Sequence, residues 1–133
     1  MVTLGTPTPA MPTQDVGRSL AFYSDVLGFD VVVHEGEFAL LRRDEATVTL
    51  WGATDDSWHE RTDWERPVCS GAESFIAGTA SFRLQVEGID ELYAQCDGHV
   101  HPSGPLAETD WGTREFAVLD PDGNLIGFWE SRG

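Results

Sequence analysis

The sequence of 133 residues has little positive charge and no lysine, since arginine supplies all eight basic residues against 23 acidic ones, for a formal net charge of −15. A surface with this excess of acid repels nucleic-acid phosphates and anionic lipid headgroups, and it attracts cations. We therefore expect no nucleic acid and no membrane as a partner, and a cationic ligand is favoured. The acids can equally serve solubility alone, because net charge acts on solubility before it acts on binding.

Cysteine and long apolar runs are also scarce. The two cysteines, Cys69 and Cys96, are too few for a disulfide framework and lack CxxC spacing. No apolar run reaches the roughly 18 residues of a membrane span, and the first residues have neither the basic nor the apolar part of a secretory signal. These absences predict free thiols and a cytoplasmic protein.

One stretch occurs twice. EFALLRRDEATVTLW covers residues 37–51 and EFAVLDPDGNLIGFW covers residues 115–129, with Glu, Phe, Ala, Leu, Asp and Trp at identical spacing. Each copy predicts a β-hairpin, because runs of β-branched and aromatic residues flank a turn. DPDGN is strong turn chemistry, whereas RRDE occupies the same place more weakly.

A helix and a short strand precede each hairpin. QDVGRSLAFYSDVLGF predicts a helix that begins after Asp15 and ends before Gly28, and its apolar stripe consists of Val16, Leu20, Tyr23 and Leu27. GIDELYAQCDG predicts a second, shorter helix. The first strands are predicted around residues 8–11 and 80–86.

The order of these elements predicts an α+β protein with two tandem βαβββ modules, whose curved sheets form a cup. We expect one domain, with module one at about residues 1–56, a connector at about 57–79 and module two at about 80–133.

Several motifs resemble those of the vicinal oxygen chelate superfamily, which includes glyoxalase I, extradiol dioxygenases and the bleomycin resistance proteins. They are RSLAFYSDVLGF, GIDELYAQC and WGTREFAVLDPDGN, and with the repeat they cover nearly the whole chain. In the superfamily's enzymes, four side chains that face into the cup hold a divalent metal. Carried over by motif, these positions fall on Thr8, Thr49, Ser81 and Gly127. Hydroxyls and a glycine cannot replace carboxylate or imidazole donors, so the resemblance implies no metal, no cofactor and no catalytic residue.

The second half, SGPLAETDWGTREFAVLDPDGN, is most similar to the bleomycin resistance proteins. These are non-catalytic homodimers that sequester a bulky cationic glycopeptide antibiotic in crevices at the dimer interface. The resemblance implies a homodimer that binds a small-molecule antibiotic or natural product. The ligand-binding residues that it implies are Phe38, Thr49, Trp51, Ser81, Arg83, Trp111 and Gly123. For the aromatic residues the alternative is core or dimer packing, and Trp129 is a weaker candidate.

Arg83 is a departure, because the similar resistance proteins carry a tryptophan on this strand. It predicts an internal carboxylate as its partner, or a ligand with an anion or carbonyl group; a surface position is the alternative. The long connector contains Trp58, Trp64 and Glu73. Trp58 and Trp64 either close over the cup or contact the second subunit, or they only pack the linker. Glu73 either orients a cationic group or is solvated surface.

Two other functions stay open. One is a metal-dependent isomerase, dioxygenase or thiol transferase of the same fold that uses other ligands, for which His99 and His101 form a candidate pair. The other is a relative of the same fold with a sensing or structural role.

Overall fold

The computed structural model describes residues 1–53 and 77–133, and over these ranges it confirms the two predicted βαβββ modules. The connector lies mostly outside the described residues. Module one consists of β1 (Ala10–Thr13), α1 (Val16–Asp25), β2 (Asp30–Glu35), β3 (Phe38–Arg43) and β4 (Ala46–Gly52). Module two consists of β5 (Ser81–Gln85), α2 (Ile89–Gln95), β6 (Ala107–Glu108), β7 (Thr113–Leu119) and β8 (Leu125–Ser131).

Each module is a four-stranded sheet with its helix on one face. The strand orders are β1-β4-β3-β2 and β5-β8-β7-β6. The first strand of each module pairs in parallel with the last one, and this pairing needs the crossover that α1 or α2 supplies. The helices pack against their own hairpins, and buried apolar residues of both modules form one core. Neither helix is long and apolar enough to span a membrane, over the ranges that the structure describes.

Helix α1 confirms most of the predicted pattern. The Asp15 carboxylate caps the helix by accepting a hydrogen bond of 3.0 Å from the backbone N–H of Arg18. Tyr23 is fully buried, whereas Leu20 is only partly buried, because the sheet covers the stripe from one side. The helix ends at Asp25, earlier than predicted.

The first strand lies two residues later than predicted. It covers Ala10–Thr13 instead of residues 8–11. The reason is burial: Met11 and Thr13 are each only 1% exposed, and the Thr13 hydroxyl lies 2.6 Å from that of Ser19 on α1. The segment before β1 is mostly exposed.

The two hairpins pair in different registers despite their matching sequences. In module one Phe38 lies opposite Trp51, whereas in module two Glu115 lies opposite Trp129. The register therefore differs by one residue, which turns the side chains of β3 over relative to β7. Phe116, the repeat equivalent of Phe38, points into the core and is 3% exposed.

Turn length causes this difference. Arg43 pairs with Ala46, so the first hairpin closes with a two-residue turn, in which Asp44 has a φ of +52°. Leu119 pairs with Leu125, so the second turn contains five residues. Because side chains alternate along a strand, changing the number of turn residues from even to odd turns the opposite face of one hairpin strand toward the core.

The long DPDGN turn also joins the modules. The Asp122 carboxylate accepts hydrogen bonds from the backbone N–H of Gln14 at 3.0 Å, from Arg18 at 3.3 Å and from the Ser19 hydroxyl at 3.2 Å. The Tyr23 hydroxyl donates to Asp120 at 3.3 Å. Burial raises the pKa of the Asp120 carboxyl. Burial also raises the pKa of the Tyr23 hydroxyl, and the neighbouring Asp120 carboxylate adds to this effect.

Candidate functional site

The site consists of the sheet faces that the helices leave open. On β4, Val48 and Leu50 point toward the helix and are fully buried, so Thr47, Thr49 and Trp51 point the other way and are partly exposed. We call this surface the module-one face. The corresponding module-two face carries Ser81, Arg83, Glu115, Gly127 and Trp129, as the register of β5, β7 and β8 requires.

The module-one face presents a pair of aromatic rings. Phe38 and Trp51 are cross-strand neighbours with ring centroids 4.6 Å apart. The Trp51 indole N–H donates to the Thr49 hydroxyl at 3.2 Å, and this hydroxyl donates to the Pro9 carbonyl at 3.2 Å. Three of the sequence-predicted site residues therefore lie together, and the two rings, inclined at 58° to each other, each offer an aromatic face for stacking.

The module-two face presents a charged pair beside an indole. The Arg83 guanidinium donates to the Glu115 carboxylate at 2.8 Å and lies 5.9 Å from the centre of the Trp129 ring. Glu115 is thus a carboxylate partner of Arg83, but it is not the internal one that the sequence predicted, and Arg83 takes the surface position that was the alternative. The pair is open to solvent, since the Arg83 side chain is 57% exposed. The stem of Arg83 lies over Gly127, where an added Cβ would come 3.2 Å from Cγ.

Sequence reasoning missed Glu115, which connects three other side chains. Its second oxygen accepts hydrogen bonds from the Trp111 indole N–H at 3.0 Å and the Thr113 hydroxyl at 2.5 Å. The Thr113 hydroxyl, and then Trp111 and Arg83, lower the pKa of the Glu115 carboxyl, so it is ionised at neutral pH. The repeat gave no signal for Glu115, because aligning the two copies would place Phe116 rather than Glu115 opposite the tryptophan of β8.

The four positions implied for a metal contain no charged or imidazole donor. Thr8 precedes β1, and its hydroxyl lies 2.6 Å from that of Thr47. The residue opposite Thr49 is Ala10, which also lacks a donor side chain. Gly127 lies opposite Arg83 and offers no side chain. No group of three or more His, Cys, Asp or Glu residues within 1–53 and 77–133 could hold a metal ion. The absence of a metal in the protein stays a prediction.

The alternative histidine pair has structural contacts instead. The His99 ring packs edge-on against Phe22 at 5.5 Å. His101 accepts a hydrogen bond of 2.9 Å from the backbone N–H of Ser103 through Nδ1. These contacts favour a role in folding for both residues.

Gly123 is not on either face. It lies in the DPDGN turn with a φ of +87°, next to the junction of the modules. The other implied residues do lie on the faces, with Trp111 attached to the module-two face through Glu115. Trp58, Trp64 and Glu73 lie outside the described residues.

The two faces have no contact with each other among residues 1–53 and 77–133. No hydrogen bond or ring contact connects the Phe38 and Trp51 pair to the cluster around Glu115, as far as the described residues go. A groove of about 780 Å³ lies elsewhere, between the β3–β4 turn and α2, and includes none of the implied ligand-binding residues. Each face is open, so each resembles half of a binding site.

Comparisons with known proteins identify the family. A model of the Glyoxalase/Bleomycin resistance protein/Dioxygenase superfamily matches residues 6–128. A bleomycin resistance protein of Geobacillus stearothermophilus is 51% identical over 124 residues, which cover 92% of this chain and 93% of the relative.

Solved structures agree with this assignment. The bleomycin-binding protein of bleomycin-producing Streptomyces verticillus, complexed with copper(II)-bleomycin, has a TM-score of 0.69 and 26% identity over 96% of this chain and 97% of that one. Lactoylglutathione lyase of Agrobacterium tumefaciens has a TM-score of 0.70 and 20% identity over 96% and 94% of the two chains, so it shares the fold alone. Enzymes and binding proteins therefore share this architecture, and this chain belongs to the Glyoxalase/Bleomycin resistance protein/Dioxygenase superfamily.

Proposed function

We propose that the chain is a non-catalytic binding protein that sequesters a bleomycin-type antibiotic and thereby confers resistance to it. The observation that carries the proposal is the chemistry of the two open faces. They present aromatic rings at Phe38, Trp51 and Trp111, while the positions implied for a metal hold hydroxyls or a glycine. Such surfaces can stack on a ligand but offer no Lewis acid to transform it.

Relatives support the choice of ligand. The 51% identity to a bleomycin resistance protein extends over 92% of the chain, so it includes both faces. The net charge of −15 favours a cationic ligand, because a negative field speeds the capture of cations.

We infer that the working form is a homodimer in the cytoplasm. No contact between described residues joins the two faces within one chain, and a second copy could place the module-one face of one subunit against the module-two face of the other. Twofold symmetry would then produce two equal crevices. Sedimentation should give twice the chain mass of 14.6 kDa.

Fluorescence titration with metal-free bleomycin tests the binding. We expect saturable quenching, with affinity that falls at high salt because screening weakens the attraction between acids and a cation. Trp51→Ala should weaken binding by at least about tenfold, as for a central aromatic contact. Val32→Ala, a change at an exposed residue of the edge strand β2, is the control and should bind like wild type.

The enzyme alternative is separated by metal analysis of the purified protein. Near-stoichiometric zinc, nickel, manganese or iron, removed together with an activity by chelation, would contradict the binding proposal. Absence of quenching by bleomycin at any salt concentration would remove the proposed ligand.

A further inference from the structure

Trp111 combines an exposed side chain with a fixed backbone. The residue is 71% exposed, so little packing holds its ring. Its turn is nevertheless braced, since the backbone N–H of Thr109 donates to the Thr113 carbonyl at 2.8 Å and that of Arg132 donates to the Gly112 carbonyl at 2.9 Å. The direction of the indole ring therefore depends on its own side-chain torsions.

The Glu115 carboxylate fixes these torsions from the neighbouring strand position. One oxygen accepts from the Trp111 indole and the Thr113 hydroxyl, and the other accepts from Arg83. The Glu115 side chain is 22% exposed and lies on β7 between Ala107 of β6 and Trp129 of β8. Its own position is thus set by the sheet.

We propose that Glu115 is a positioning residue, whose carboxylate sets the orientation of the Trp111 ring and of the Arg83 guanidinium on the module-two face. The proposal rests on the proposed function, because it assigns these two groups to ligand recognition. Glu115 does not itself attract a cationic group of the ligand, since the ion pair with Arg83 balances its charge.

A chemical preference follows for the part of the ligand that contacts this face. A guanidinium has five N–H donors, and the hydrogen bond to Glu115 uses one of them. The remaining donors suit a carbonyl or anionic group next to a planar group that stacks on Trp111.

Three variants separate positioning from a general role in folding. Glu115→Ala removes all three hydrogen bonds. Glu115→Gln keeps an oxygen that can accept from Trp111 and Thr113, but its amide N–H₂ cannot pair with Arg83. Asp90→Asn is the matched control, because it breaks the ion pair of Arg114, the neighbour of Glu115 on β7 that points to the opposite face.

The first measurement is solvent exchange of the Trp111 indole proton by NMR in the ligand-free protein, with the resonance assigned through Trp111→Phe. We expect exchange to be about fivefold faster in Glu115→Ala, as loss of a net hydrogen bond implies. It should return to within about twofold of wild type in Glu115→Gln and stay unchanged in Asp90→Asn. If Glu115→Ala does not fold, faster exchange of the Arg83 Nη2 protons in Glu115→Gln, with Trp111 unchanged, carries the test.

The second measurement is the dissociation constant for metal-free bleomycin. It should rise by about tenfold in Glu115→Ala and less in Glu115→Gln, and Asp90→Asn should bind like wild type. Wild-type exchange of Trp111 in folded Glu115→Ala overturns the positioning role. Faster exchange with unchanged affinity overturns the role in recognition. A wild-type protein that does not bind bleomycin overturns the proposed function alone, since exchange is measured without ligand.

Discussion

Substitution of Asn124 should be unusually destabilising, because this side chain bonds both modules. It is fully buried, and its amide N–H₂ donates to the Pro12 carbonyl at 2.8 Å and to Asp120 at 3.0 Å. Its amide oxygen accepts from the backbone N–H groups of Gly78 at 2.8 Å and Ala80 at 3.2 Å. One residue thus satisfies four polar groups, on both sides of the junction.

The magnitude follows from these four bonds. Each net hydrogen bond contributes about 1 kcal/mol, and a buried group that loses its partner adds a desolvation penalty unless water enters. Asn124→Ala should therefore lower the free energy of unfolding by about 3–5 kcal/mol, a large part of the stability of a domain of this size. The substitution should not change the strand propensity of β7 or β8, because residue 124 lies in the turn before β8.

Urea unfolding followed by tryptophan fluorescence measures this loss. Gln95→Ala is the matched control, since Gln95 is an exposed amide at the end of α2 and should change stability by less than about 0.5 kcal/mol. Asn124→Asp keeps the accepting oxygen but adds a carboxyl beside Asp120, so its stability should recover as the pH falls. A loss below about 1.5 kcal/mol in Asn124→Ala would refute the reasoning that this side chain holds the junction together.

Three further predictions concern single groups. Interactions in the folded state lower the pKa of the Glu115 carboxyl below 4.5, so its contribution to stability is complete above that pH and is lost as the pH falls below it. The free energies of unfolding of wild type and Glu115→Gln, measured at several pH values, should therefore become more similar as the pH falls through this range. Burial raises the pKa of the Cys96 thiol to about 11, so in a Cys69→Ser background a thiol reagent at pH 8 should react only after unfolding, and rapid reaction of the native protein would contradict this. A Cβ at Gly78, where φ is +95°, would lie 2.6 Å from a carbonyl oxygen of the DPDGN turn. Gly78→Ala should therefore lower the free energy of unfolding, measured in urea, by about 1–3 kcal/mol. The loss should be clearly larger than in Gly98→Ala, because Gly98 has a φ of +87° but open space around its Cα.

The architecture could be predicted because the sequence contains an internal repeat and periodic apolar residues. The matching hairpin sequences indicated the two modules, and the alternation in β4 correctly placed Trp51 on the open face. Asp15 was identified as the helix cap because a side-chain cap needs only local sequence. Alternation and capping depend on neighbours within a few residues, and the repeat is visible from direct comparison of the two stretches.

The site was harder to predict because it depends on registers that neighbouring residues do not determine. Aligning the hairpins implies that Phe38 and Phe116 are equivalent, yet only Phe38 lies on an open face. Nothing in RRDE specifies a two-residue turn rather than the longer one of DPDGN. Glu115 was missed for the same reason, since its face follows from that turn. The start of β1 depends on burial against α1, which the proline-rich segment does not reveal.

The unequal turns have a consequence for how such a molecule diverges after gene duplication. Substitutions within a hairpin turn can change the number of unpaired turn residues by an odd number without any insertion, and this exchanges the inner and outer side chains of a whole strand. Descendants of one ancestral half can therefore acquire chemically unlike recognition surfaces through changes in the turn alone. In this chain the shared Glu-Phe dipeptide shows the outcome, because one copy exposes its aromatic ring and the other its acid. Residue roles should be transferred between homologues only after the parity of their turns has been compared.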